Sequence, residues 1–142
     1  MLGGHLNKGW SVAQAVIALS SGEAEYYGIV KGASTGLGIR SALRGLGCSV
    51  RLAVHTDSSA AKGMASRKGL GKVRHVEVNQ LWVQETVGSG EIELKKIDGT
   101  SNLADALTKF VDGEGIRGHM WGTGQRYTPG RHTIMPAVAD TP

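Results

Sequence analysis

Three acidic residues stand where carboxylates often do chemistry. Glu25 falls in the first turn of a predicted long helix, Asp57 ends a predicted strand, and Asp105 opens a late helical segment. Strand ends and helix starts gather polar groups in α/β folds, and carboxylates that share a site are the usual ligands of Mg²⁺ or Mn²⁺. The same acids also suit helix N-termini and turns without any ligand, so their spacing alone leaves both interpretations open.

Hydrophobic periodicity predicts the elements that must position these acids. Ser20 and Ser21 offer N-cap hydroxyls to the long helix, which an apolar stripe with four-residue spacing supports. The alternation of strands and helices indicates an α/β or α+β fold. In chain order the predicted elements are a strand over residues 5–19 after a hairpin at Gly3 and Gly4, a helix over 22–46, a strand over 50–57, a helix from Ser58, a helix over 76–87, a strand over 91–97 and a short helix after Ser101 or Asn102.

The composition fits one domain with a tail. At 142 residues and 40% hydrophobic content, the chain can form a single core. We predict a domain over residues 1–112 and a poorly ordered tail over 113–142, where Gly, Pro, Thr and Arg accumulate without a period. One cysteine, Cys48, cannot form an internal disulfide, and neither a signal peptide nor a membrane-spanning run is visible. These features predict an intracellular protein, cytoplasmic or nuclear, with no membrane partner.

A basic segment suggests a polyanionic partner. The formal net charge is +4, and residues 62–75 carry cations without a single acid. This segment is a candidate phosphate-binding loop, although the same cations can simply solvate a surface loop. Its charged members are Lys62, Arg67, Lys68, Lys72 and Arg74.

Four segments, the last of them in two parts, carry a resemblance to a known family. Residues 18–26 read ALSSGEAEY, and this closely resembles the ALSS-x-EAEY signature of the ribonuclease H domain in copia-type retrotransposon Pol polyproteins. Residues 55–61 (HTDSSAA) are similar to the family's strand-to-helix element, and residues 72–78 (KVRHVEV) to its R-T-K-H-I-D-I segment. Residues 90–94 (GEIEL) and 103–109 (LADALTK) resemble its closing motifs. The segments occur in family order at family spacing, which makes the combined match specific.

The resemblance implies a ribonuclease H-like fold, a mixed sheet flanked by helices, that cuts the RNA strand of an RNA–DNA hybrid with two divalent ions. It implies that Glu25, Asp57 and Asp105 are the catalytic, metal-binding carboxylates, and that Glu23 is a solvated acid at the helix start. In such a site one Mg²⁺ or Mn²⁺ ion activates a water and the other stabilises the leaving oxygen. Ser20, Ser21 and His75 join the basic segment as expected contacts to the hybrid, and a reverse transcriptase portion is expected upstream in the same polyprotein.

One family feature is missing from this sequence. The family's first strand carries a further aspartate, whereas this chain has no acid before Glu23. We therefore expect a domain that is incomplete at its amino end and inactive as this fragment alone. The alternative is a catalytically dead remnant that still binds nucleic acid. A third interpretation, an unrelated small α/β protein, must treat the whole ordered set of motifs as accidental.

Overall fold

The computed structural model of the chain describes residues 1–71, 76–126 and 130. These residues form two compact units. The larger unit is Val12–Asn102, and the smaller one joins Met1–Ser11 to the described residues from Leu103 onward. Among the described residues, no helix is long and apolar enough to cross a membrane.

The larger unit contains most of the regular structure. The predicted long helix, the two alternating strands and the helix from Ser58 all form close to their expected bounds. The predicted helix over residues 76–87 is shorter, because a 3₁₀ turn at Val78–Gln80 precedes it. The elements are α1 (Ser21–Gly45), β1 (Leu52–Thr56), α2 (Ser59–Ser66), α3 (Trp82–Gly88) and β2 (Ile92–Lys96).

The sheet in the described residues is a parallel pair of β1 and β2 in which Leu52 lies opposite Ile92 and Thr56 opposite Lys96. Parallel strands need a crossover connection, which α2 and α3 supply here. Because both strands run the same way, their carboxyl ends lie at one edge of the sheet. Asp57 and Ile97 follow directly at that edge, and the Ile97 N–H donates to the Thr56 carbonyl at 3.0 Å.

One hydrophobic cluster forms the core of the larger unit. It joins the inner face of α1 to α2, α3 and β2, and its fully buried members include Tyr26, Ala33, Val83 and Ile92. Close packing between α1 and β1 depends on Gly36, where an added Cβ would lie 2.6 Å from a Leu52 methyl carbon. The cluster holds α1 against the sheet and so fixes where the first turn of α1 can lie.

The smaller unit is built around helix α4 (Gly113–Gly122). The Leu6 N–H donates to the Thr123 carbonyl at 3.1 Å, and the Thr123 side chain is buried. Leu103 packs against Gly122, where an added Cβ would lie 2.6 Å from a Leu103 methyl carbon. The two ends of the described chain are thus held in one unit.

Three further elements differ from the sequence predictions. Residues 5–19 form no strand; only an isolated antiparallel bridge between Leu2 and His5 closes the turn at Gly3 and Gly4. A strand needs a neighbouring strand for its backbone groups, and within the described residues the sheet contains β1 and β2 alone. Regular structure also extends into the predicted tail, because Asp112 caps α4 by accepting a hydrogen bond from the Gly115 N–H at 2.8 Å. The late helix is two short 3₁₀ segments, Gly99–Ser101 and Leu103–Leu107.

Helices and a small parallel sheet combined in this way agree with the predicted α/β class. The ribonuclease H-like arrangement is a finer expectation, and it stays a prediction. The predicted domain over residues 1–112 also stays a prediction.

Candidate functional site

The first turn of α1 begins as its sequence indicates. Ser20 is the N-cap residue, and its hydroxyl accepts a hydrogen bond from the Glu23 N–H at 3.2 Å. This contact satisfies one of the amide groups that a helix leaves unpaired at its start. Ser21 follows as the first, exposed residue of the helix. The Ser20 hydroxyl therefore has a structural role, and a contact of either serine with nucleic acid stays a prediction.

Glu23 corrects the expectation of a solvated acid. Its side chain is only 2% exposed. One carboxylate oxygen accepts from the Leu19 N–H at 3.1 Å, and the other accepts from the Tyr27 hydroxyl at 3.1 Å. The spacing of Ser20 and Glu23 is that of a capping box, in which the glutamate reaches back to the chain before the helix. That signal was present in the sequence, and Tyr27, one turn further on, completes the burial.

Glu25 and Asp57 both belong to the larger unit. Glu25 is exposed in α1, and Asp57 is partly buried at the carboxyl end of β1. The Asn102 side-chain amide donates to the Asp57 carboxylate at 3.3 Å, and the Lys96 ammonium donates to the Asp57 backbone carbonyl at 2.9 Å. A partly exposed carboxylate at a strand end is a suitable oxygen ligand for a hard divalent cation. Sequence reasoning missed Asn102 in this role, because a contact across the sheet edge leaves no local signal.

Asp105 belongs to the smaller unit, in the 3₁₀ segment Leu103–Leu107. The Lys109 ammonium lies 2.7 Å from its carboxylate, in an ion pair one helical turn apart. The resemblance implies that Asp105 is a metal ligand. In that role its carboxylate would have the Lys109 ammonium group beside it. The larger unit alone does not contain all three predicted carboxylates.

Whether these residues can hold a metal ion depends on how closely their side chains are grouped. Within residues 1–71 and 76–126, no group of three or more His, Cys, Asp or Glu side chains could hold a metal ion. The described geometry therefore gives no step that runs through a metal. The assignment of Glu25, Asp57 and Asp105 to two Mg²⁺ or Mn²⁺ ions stays a prediction from sequence resemblance.

The basic segment divides into residues with different environments. Lys62 is partly buried in α2, and Lys68 is exposed after the end of that helix. Arg67 is partly buried, and its guanidinium donates to the Leu70 carbonyl at 2.5 Å. Its Nε atom is buried without a hydrogen-bond partner in the part of the chain that the structure describes. Lys72, Arg74 and His75 lie outside the described residues.

Arg67 therefore contributes to the fold. An added Cβ at Gly71, whose φ is +59°, would lie 2.6 Å from the Arg67 guanidinium, so the side chain fills the turn that the glycine makes. Its positive charge also acts on Tyr26: burial raises the pKa of this phenol, and the nearby Arg67 partly offsets the rise. The Tyr26 hydroxyl donates to the Gln80 carbonyl at 2.8 Å, which ties α1 to the segment before α3.

A buried amide holds the loop after α2. Gln84 of α3 is 9% exposed. Its amide nitrogen donates to the Met64 carbonyl at 2.8 Å and to the Gly69 carbonyl at 3.1 Å, while its oxygen accepts from the Gly69 N–H at 2.8 Å. Gly69 has a φ of +76°, a backbone conformation that residues with a Cβ rarely adopt. Sequence reasoning missed Gln84, since nothing in its neighbours distinguishes it from a surface glutamine.

Comparison with known proteins gives one informative similarity. The chain is 29% identical over 103 residues, 71% of its length, to the retrovirus-related Pol polyprotein from transposon TNT 1-94 of Nicotiana tabacum. The match spans 8% of the length of that relative. No protein-family model matches the chain, and no solved structure does. The similarity supports an origin in a retrotransposon Pol polyprotein.

Proposed function

We propose that the chain is part of a metal-dependent endonuclease domain of the ribonuclease H type, which hydrolyses the RNA strand of RNA–DNA hybrids. The observation that carries the proposal is the position of Asp57, directly after a parallel strand, in a segment that resembles the family's strand-to-helix motif. The similarity to a retrovirus-related Pol polyprotein over 103 residues supports the same origin. The RNA–DNA hybrid, the two ions and the upstream reverse transcriptase portion belong to this proposal.

The residues of this chain have separate roles in the proposed function. The sequence resemblance would make Glu25, Asp57 and Asp105 the carboxylates that hold Mg²⁺ or Mn²⁺, and such ions, when bound, would activate water and stabilise the leaving oxygen. Asn102 donates a hydrogen bond to the Asp57 carboxylate and so orients it. In this proposal the phosphates of the hybrid are contacted by Ser20, Ser21, Lys62, Lys68, Lys72, Arg74 and His75. Arg67 belongs to the same predicted set, and its described contacts are internal.

Cleavage of a labelled RNA–DNA hybrid in Mg²⁺ or Mn²⁺ tests the enzymatic part. The forms compared are the 142-residue chain, a form extended at its amino end by a strand that bears an aspartate, and the Asp57→Asn variant of each. We expect the extended form to cut and Asp57→Asn to abolish cutting. Asp112→Asn is the matched control, since asparagine caps a helix as well as aspartate does. Cutting that survives Asp57→Asn would contradict the assignment.

Binding without cleavage is the second candidate function. Two observations favour it: Lys68 is exposed, and the chain has a formal net charge of +4. Affinity for the hybrid is measured by fluorescence anisotropy between about 50 and 200 mM salt. If phosphate contacts dominate, the logarithm of the affinity falls linearly with the logarithm of the salt concentration. Salt-sensitive binding by every form, with no cutting by any, would leave only the binding remnant. An affinity for the hybrid that does not change with salt concentration would contradict both candidate functions.

A further inference from the structure

The turn that follows α2 is fixed by a side chain from another element. Gln84 pairs with both the N–H and the carbonyl of Gly69, and the same amide reaches the Met64 carbonyl in the last turns of α2. A single amide thus joins the end of the helix to the turn beyond it. Its burial excludes water as a competing partner, so each of the three bonds matters for the position of the turn.

Lys68 lies between two fixed residues. On one side the Arg67 side chain folds back to the Leu70 carbonyl, and on the other the Gly69 backbone is held by Gln84. The Lys68 side chain itself is exposed. The fold therefore fixes the backbone at Lys68 and leaves its ammonium group available to a partner.

We propose that Gln84 is a positioning residue for phosphate binding, which holds the turn at Gly69 so that Lys68 meets the backbone of a nucleic acid. This inference rests on the proposed function. A cation on a fixed backbone loses less conformational freedom on binding than one on a mobile loop, and the difference appears as affinity. Gln84 does not touch the nucleic acid, and it acts through Lys68.

A double-mutant cycle on hybrid affinity tests the inference in the full chain. The four forms are the parent, Gln84→Met, Lys68→Ala and the double variant. Methionine matches glutamine in length and removes all three hydrogen bonds. We expect Gln84→Met to weaken binding by about three- to tenfold in the parent and by less than about twofold in the Lys68→Ala background. A general loss of structure would weaken binding equally in both backgrounds.

A second variant and a control keep the test independent of folding. Gly69→Ala strains the same turn from the other side without touching Gln84, because its φ is positive and the space around its Cβ is open. It should lower affinity in the same Lys68-dependent way. Thr86→Val is the control, since the Thr86 hydroxyl donates to the Trp82 and Val83 carbonyls of its own helix. Its affinity should stay within about twofold of the parent.

The outcomes separate this inference from the proposed function. Amide exchange at Gly69, followed by NMR, should accelerate in Gln84→Met, since the Gly69 N–H loses its acceptor. Parent binding that is salt-sensitive but unchanged in Gln84→Met and Gly69→Ala overturns the positioning role alone. Equal losses in both Lys68 backgrounds also overturn it. A parent chain that fails to bind the hybrid overturns the proposed function, and the positioning role with it.

Discussion

Two glutamates separated by one residue have opposite environments at the start of α1. Glu23 is buried between the Leu19 N–H and the Tyr27 hydroxyl, whereas Glu25 is exposed. The buried carboxylate fixes the entry of the chain into the helix, and the exposed one belongs to a residue that the sequence resemblance assigns to the metal site. At the residue scale Glu23 therefore has a structural role, whereas the proposed chemical role belongs to Glu25.

Replacing Glu23 should destabilise the fold. Glu23→Ala leaves the Leu19 N–H and the buried Tyr27 hydroxyl without their acceptor, and an unsatisfied buried group such as this hydroxyl costs about 1–3 kcal/mol. We expect the free energy of unfolding, measured by urea titration, to fall by at least that amount. Glu85→Ala, at an exposed position of α3, is the control and should change it by less than about 0.5 kcal/mol. Equal effects of the two substitutions would contradict the structural role of Glu23.

Tyr27 predicts a loss of stability at alkaline pH. Burial raises its pKa above the usual 10.0, and the hydrogen bond to Glu23 and the charges of Glu23 and Glu77 raise it further. The folded state therefore keeps the phenol proton at a pH where the unfolded chain releases it. The stability that this group contributes is complete below about pH 10 and declines as the pH rises towards the higher folded pKa.

The measurement is the free energy of unfolding from about pH 8 to about pH 11. Tyr27→Phe should make the alkaline decline less steep than in the parent. Tyr26 retains its own contribution, because burial also raises its pKa. Identical pH profiles for the parent and Tyr27→Phe would show that the Tyr27 phenol is not the group responsible.

Helix α1 contains glycines of two kinds at the element scale. The space around Gly32 is open to an added Cβ, whereas a Cβ at Gly36 would press against Leu52 of β1. We expect Gly32→Ala to raise the free energy of unfolding by about 1 kcal/mol, since alanine favours the helix over glycine by that amount. Gly36→Ala should gain less or lose stability, because Leu52 must move. Chemical denaturation measures the free energy of unfolding of both variants. An equal gain at the two positions would contradict the packing of α1 on β1.

Local sequence signals predicted the elements that close their own hydrogen bonds or alternate clearly. The serine cap and four-residue stripe predicted α1, and alternation predicted β1 and β2. Residues 5–19 carry strand-forming side chains, yet a strand forms only with a partner that the local pattern cannot supply. Helix α4 was missed because four glycines among its ten residues weaken the periodic signal, while the Asp112 cap stabilises it.

The candidate site was predicted in part for the same reason. The position of Asp57 at a strand end follows from the sequence pattern. The burial of Glu23, the clamp of Gln84 on Gly69 and the contact of Asn102 with Asp57 depend on residues brought together only by folding. Arg67 has the same charge as Lys68 in the sequence, and only packing gives the two residues different environments.

At the scale of the whole molecule, the two units should differ in local stability. The larger unit holds the buried cluster around Tyr26 and Ala33, whereas α4 of the smaller unit has no buried residue. Amides open locally at lower cost where few apolar contacts must break. Hydrogen exchange followed by mass spectrometry should find peptides from α4 exchanging faster than those from residues 26–33. Equal protection of the two peptides would contradict this assignment of stability.

The parallel pairing of β1 with β2 also has a consequence for how the chain is made. Leu52 pairs with Ile92, so α2, the basic segment and α3 must leave the ribosome before the first strand can find its partner. At about 5–20 residues per second, that interval lasts on the order of 2–8 seconds. During it, the Leu52 and Val54 side chains have no strand to pair beside. The nascent chain is therefore most prone to aggregation, and most dependent on chaperones, in the interval between synthesis of its two strands.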